Sequence, residues 1–81
     1  MQVIITESKS FTHDSYITAS CGKKTALVII HRVSKRITVC CQNASHKVWR
    51  GAGRTFWSIE EALDAYKSSE MKAIISAAVE A

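Results

Sequence analysis

Proline is absent from the 81 residues, and glycine occurs three times. Nothing in the chain therefore reads as a linker or low-complexity segment, and no internal repeat is visible. Residues 1–81 are expected to form one small α+β domain. Long hydrophobic runs are also missing. The longest, residues 26–30, has five residues, against the roughly 18 that a membrane span needs. The first six residues lack a basic segment followed by an apolar core, so no signal peptide is expected. Acidic residues are missing from the middle of the chain: none lies between Asp14 and Glu60. Paired carboxylates for general acid–base work are thus lacking there, and such work would fall to His31 or His46. This argues against an enzyme. His13 and Asp14 are neighbours, but neighbours in a chain do not face each other, and a solvated loop accounts for them.

Cysteine is sparse and odd in number: Cys21, Cys40 and Cys41. Cys40 and Cys41 would point to opposite faces of a strand and do not readily pair. A reducing, cytoplasmic setting is expected, with the thiols as small buried hydrophobes. With His46 they make a chemically legal zinc set. However, the pairs roughly two to four residues apart that zinc sites use are absent. No metal and no cofactor is expected.

What is present is a basic stretch. Residues 21–57 hold Lys23, Lys24, Arg32, Lys35, Arg36, Lys47, Arg50 and Arg54, both tryptophans (Trp49, Trp57) and no acid. Residues 1–57 hold nine basic and two acidic side chains, a net +7, whereas residues 58–81 hold two and five, a net −3. Such segregation suggests a positive field that attracts phosphates or an acidic protein. The plainer alternative is that the charges only solvate a small domain.

The alternation of apolar and polar residues places the strands. Val3-Ile4-Ile5 is a short β-branched run within residues 2–6. Residues 7–15 are polar and read as a loop, with Phe11 pinning it to the core. Residues 16–21 bury Ile17, Ala19 and Cys21. Gly22-Lys23-Lys24 is a tight connection. Residues 25–32 are apolar on both faces at their middle, the mark of a central strand. Residues 36–42 return with Ile37, Val39 and Cys41 buried. The tip between them gathers Arg32, Lys35 and Arg36, whose mutual repulsion costs stability. A loop at 43–45 and a strand candidate at 46–51 follow. Arg50-Gly51-Ala52-Gly53-Arg54 is either a structural turn or a backbone nest for an anion. It lacks the lysine and hydroxyl residue of a P-loop and the third glycine of a dinucleotide fingerprint. Residues 54–57 form a last extended piece.

Ser58-Ile59-Glu60-Glu61 is a capping box, with the Ser58 hydroxyl accepting from the Glu61 N–H and Glu61 reaching back to the Ser58 N–H. Trp57 is placed to staple onto Ala62 or Leu63. A stripe of Ile59, Ala62, Leu63, Tyr66, Ala73, Ile74 and Ala77 follows at a period near 3.6. Glu70 interrupts it, and Ser68-Ser69 precede Glu70, so the helix either bends here or restarts. On a continuous helix Met71, Ile75 and Val79 face away from the stripe, and this second apolar side predicts a homodimer.

The expected fold is an antiparallel sheet of four to five strands followed by a C-terminal helix, or two short helices, packed on one face. The expected function is a small non-catalytic basic binding module. It would bind single-stranded DNA or RNA through a positively charged sheet face, with cations on phosphates and Trp49, Trp57 or Tyr16 stacking on bases. The candidate contacts are Lys23, Lys24, Arg32, Lys35, Arg36, Lys47, Trp49, Arg50, Arg54 and Trp57. The alternative is a protein–protein inhibitor or adaptor of the mobile-element type, blocking a nuclease or other nucleic-acid-handling complex in an anti-defence or anti-CRISPR-like role. The order of sheet then helix resembles small single-strand-binding folds in outline only.

Overall fold

The computed structural model describes residues 2–41 and 53–81. Five strands, β1 (Val3–Ser10), β2 (Asp14–Cys21), β3 (Lys24–His31), β4 (Ile37–Cys41) and β5 (Arg54–Phe56), precede two helices, α1 (Ile59–Ala65) and α2 (Ser69–Glu80). The strands form one antiparallel sheet in chain order. This is the expected α+β arrangement, and β3 takes the central place that its two apolar faces required. The strand candidate at 46–51 lies outside the described residues. Among those residues, no helix is long and apolar enough to cross a membrane.

Local chemistry sets the turns. Cys21 pairs with Lys24 across Gly22-Lys23, and Gly22 has φ 61°. A two-residue hairpin of type II′ needs a left-handed residue at its first central position, which glycine supplies without a Cβ clash. The β3–β4 turn is longer. The Lys35 N–H donates to the His31 carbonyl at 2.8 Å, and Lys35 itself sits at φ 66°.

The segment at 7–15 departs from expectation. It is largely strand: β1 runs on to Ser10 and β2 begins at Asp14. Hairpin pairing overrides its low apolar content, and its polar side chains suit an edge strand exposed to water. A register shift between Ile5 and Glu7 marks a bulge, where the Thr6 hydroxyl donates to the Thr18 carbonyl at 3.3 Å. Phe11 does not reach the core. Its ring meets Tyr16 edge-on at 5.2 Å and remains exposed.

The core lies between the sheet and the helices. Ile17, Ala19 and Cys21 of β2, Ala26 and Val28 of β3, Ile37 and Val39 of β4 and Phe56 of β5 form its sheet side. Ala62 of α1 and Met71, Ile74, Ile75 and Ala78 of α2 cover them. Two helices form rather than one. Tyr66 is extended at φ −107° and ψ 124°, and Ser68 caps α2 by accepting from the Met71 N–H at 3.4 Å. That break resets the helical phase. Met71, Ile74, Ile75 and Ala78 become an i, i+3, i+4, i+7 stripe facing the sheet. Met71 and Ile75 are therefore buried in the chain's own core, with Val79 packed against it. The expected dimer face is not an exposed surface, because the expectation assumed an unbroken helix.

Candidate functional site

The sheet has two unlike faces. Helix α2 covers β2 and β3, and α1 lies over β4 and β5. The opposite face bears neither helix and displays Asp14, Tyr16, Thr18, Leu27, Ile29, His31, Thr38, Cys40 and Thr55 by strand alternation and register. The described cations do not spread over this face. Lys23 and Lys24 are exposed at the β2–β3 turn, whereas Arg32, Lys35 and Arg36 are exposed at the β3–β4 turn. Seven residues of β3 (25–31) separate Lys24 from Arg32, and eight rises of about 3.3 Å put the two groups roughly 26 Å apart. Arg54 sits on β5 with its guanidinium carbon 5.1 Å from the Phe56 ring centroid. Lys47, Trp49 and Arg50 lie outside the described residues. Lys9, on β1, is paired with Glu7 at 3.1 Å.

The end of the sheet at the β3–β4 turn is the most organised region. A row of polar side chains crosses four strands there. Asp14 Oδ1 lies 2.9 Å from His31 Nδ1, and His31 Nε2 lies 2.9 Å from Thr38 Oγ1. Thr38 Oγ1 lies 3.0 Å from Thr55 Oγ1. An ionised carboxylate only accepts, so His31 Nδ1–H donates to Asp14. In a neutral imidazole Nε2 then accepts from the Thr38 hydroxyl, and the Thr38 oxygen is left to accept from the Thr55 hydroxyl. Thr38 is buried within the row, and Thr55 is its exposed terminus.

Basic and aromatic groups flank the row. Arg32 donates to the Ser15 hydroxyl at 3.0 Å and to the Asp14 carbonyl at 3.3 Å, and its backbone N–H donates to the His13 carbonyl at 2.8 Å. These bonds tie the β1–β2 and β3–β4 turns together. Arg36 lies with its guanidinium carbon 3.8 Å from the centroid of the Trp57 ring, a stacked cation–π pair. Trp57 does not staple onto the helix. It is 69% exposed, and Val33 (74%) and Phe11 (54%) are exposed at the same end. This end thus combines three cations with aromatic and aliphatic surface.

Helix α1 fixes the backbone under Trp57. Ser58 accepts from the Glu61 N–H at 3.1 Å, as the capping box predicts. The return bond differs by one residue: the Glu61 carboxylate accepts from the Trp57 N–H at 2.9 Å rather than from that of Ser58. The effect is to clamp the residue that presents the indole.

On the same sheet face Cys40 is buried, and burial, with a lesser contribution from Cys41, pushes its thiol above its ordinary range. Tyr66 is pushed up chiefly by burial and next by Cys41, which is hydrogen-bonded to its side chain. Cys21 and Cys41 are free thiols.

Of the expected contacts, Arg32, Lys35, Arg36 and Trp57 come together, while Lys23, Lys24 and Arg54 lie elsewhere. The Asp14–His31 pair does not emerge from the sequence reading, which puts Asp14 in a loop. A signal for it exists. A two-residue turn at Gly22-Lys23 pairs residues whose numbers sum to 45, and Asp14 and His31 satisfy that sum. Compared with protein-family models, curated proteins and solved structures, the chain matches none.

Proposed function

We propose that this domain binds single-stranded nucleic acid, without catalysis, at the sheet end formed by Arg32, Lys35, Arg36 and Trp57. The observation behind the reading is the Arg36–Trp57 stack, 3.8 Å apart, on a largely exposed indole. Arg36 covers one face of the ring, and the residue is still 69% exposed, which suits stacking of a base. Arg32 and Lys35 flank it with positive charge for the adjoining phosphates. Aromatic platforms beside cations bind single strands with little sequence preference, because every base has a π face and every nucleotide a phosphate. The surface is compact, so it fits a few nucleotides rather than a long tract. A cytoplasmic setting is part of the reading and rests on the odd number of cysteines, Cys21, Cys40 and Cys41.

The test is a titration with a single-stranded oligonucleotide at low and high salt. Affinity should fall steeply with salt as counterions are released, and replacing Arg32 and Arg36 together should weaken it about tenfold or more. Trp57→Leu should weaken it further while leaving the salt slope unchanged. Unaltered affinity in both variants would remove this end from the binding surface.

A second reading draws on Val33 and Phe11, whose exposed apolar side chains have no role in phosphate contact. They fit an acidic protein partner, with the domain acting as an inhibitor or adaptor on a nucleic-acid-handling complex. That reading expects no oligonucleotide binding and a stable protein complex that Val33→Asp disrupts.

A further inference from the structure

The polar row ends at Thr55, an exposed residue on the sheet face toward whose end Arg36 and Trp57 lie. Thr38 faces Thr55 in the β4–β5 register, and continuing that register sets Arg36 beside Trp57 one pleat further along the same face. Thr55 and Arg36 are therefore diagonal neighbours on that face, about 7–8 Å apart along the backbone, at the edge of the surface that the proposed function gives to a nucleotide. We infer that Thr55 and Arg36 form an oxyanion subsite for a phosphate group, and that filling it is coupled through Thr38 to a proton on His31.

The coupling follows from the number of donors in the row. With His31 neutral, Nε2 accepts from Thr38, Thr38 accepts from Thr55, and the Thr55 proton points inward. The Thr55 oxygen then meets an incoming phosphate lone pair against lone pair. With His31 protonated, Nε2–H must donate to the Thr38 oxygen. The Thr38 hydroxyl rotates to donate to Thr55, and the Thr55 proton turns outward. No bond is made or broken beyond the proton taken up from solvent; two hydroxyl rotors reverse. In that state Thr55 donates to a phosphate oxygen beside the Arg36 guanidinium, a charge-assisted hydrogen bond.

Asp14, on β2, accepts from Nδ1–H at 2.9 Å. Arg36 from the β4 side, and Arg32, Lys35 and His13 from the two turns, are the other charged or titratable groups at this end of the sheet. Linkage is reciprocal: a proton that strengthens phosphate binding implies that phosphate draws a proton onto His31.

This inference rests on the nucleic-acid reading, and the experiment separates the two. Oligonucleotide affinity is measured at about pH 5.5 and about pH 8, which bracket the ordinary imidazole titration, for the wild type, Thr38→Ser and Thr38→Val. Thr38→Ser keeps the hydroxyl link; Thr38→Val breaks it and leaves His31 in place. The wild type and Thr38→Ser should bind about fivefold tighter at the lower pH, the lower end of usual coupling, and Thr38→Val should lose most of that ratio. Equal pH ratios in all three proteins would overturn the coupling while nucleic-acid binding stood. If no oligonucleotide binds at either pH, the nucleic-acid reading fails, and inorganic phosphate becomes the probe, followed by NMR at the Thr55 and Arg36 amides. Shifts that are larger at the lower pH in the wild type, and not in Thr38→Val, would sustain the subsite by itself. An unresponsive Thr55 would end it.

Discussion

A Cβ added to Gly22 would fall 2.5 Å from a carboxylate oxygen of Glu70. Glu70 thus leans from the first turn of α2 over the β2–β3 hairpin, and the apparent flaw in the helical stripe joins helix to turn. Gly22→Ala meets two penalties, the left-handed φ of 61° and the displaced Glu70. The expected loss is about 1–2 kcal/mol in urea denaturation. Adding Glu70→Ala to Gly22→Ala should relieve the steric part and leave the backbone part.

Lys35 presents the opposite case, a side chain where glycine would be easier. Its φ of 66° in the β3–β4 turn is left-handed. Lys35→Gly should stabilise the domain by about 0.5–1 kcal/mol, since relief of the Cβ clash outweighs the entropy of glycine. The same change removes a phosphate contact, so the slope of log affinity against log salt should become shallower by about 0.7 for a single strand. Opposite signs in stability and binding would assign Lys35 to function.

Ile75 is fully buried against the sheet. Ile75→Ala should cost about 2–5 kcal/mol in chemical denaturation, and Ile75→Glu should prevent folding. A well-folded Ile75→Glu protein would show that α2 does not lie where it is described.

Ser68 sets where α2 begins, through its bond from the Met71 N–H. Ser68→Ala should cost about 1 kcal/mol, and Ser58→Ala about the same at α1. Loss of the Ser58 cap should also loosen Trp57, since Glu61 bonds both segments. Tryptophan anisotropy in a Trp49→Phe background reads that directly.

Alkaline pH should weaken the fold. Burial raises the Cys40 thiol above its ordinary 9.0 and the Tyr66 phenol above its ordinary 10.0. In each case the folded state favours the protonated form. Their contribution is therefore complete below those ordinary values and is lost as pH rises through the raised ones. Urea midpoints should fall between about pH 8.5 and pH 10.5 in the wild type, and fall less in Cys40→Ala/Tyr66→Phe.

Much of this architecture was legible because alternation is a strong signal where one face is buried. Ile17, Ala19 and Cys21, then Ile37 and Val39, all land on the helix-covered face as the pattern implies; β3, apolar on both faces, leaves its own inward side open. The first hairpin was only half visible. Residues 7–15 lack apolar alternation, and backbone pairing with an already formed β2 extends β1 without help from side chains. The phase of α2 was hidden for another reason. A helical wheel assumes a continuous axis, and the extended residues Tyr66 and Ser68 between the helices invalidate it. At the site, the cation-rich tip could be read from Arg32, Lys35 and Arg36, but joining it to Trp57 required the β4–β5 pairing. The Asp14–His31–Thr38–Thr55 row needed three registers at once.

The strands are joined in chain order and the helices come last. During synthesis each hairpin can close as soon as its second strand leaves the ribosome, since no strand waits for a distant partner. The greasy side of β2 and β3, Ile17, Ala19 and Val28, stays bare until the segment bearing Met71, Ile74 and Ile75 emerges. A nascent chain stalled before residue 69 would have α1 over β4 and β5 but present a ready-made β-surface on β2 and β3. Chaperone capture or aggregation should peak at that length and vanish once α2 is out.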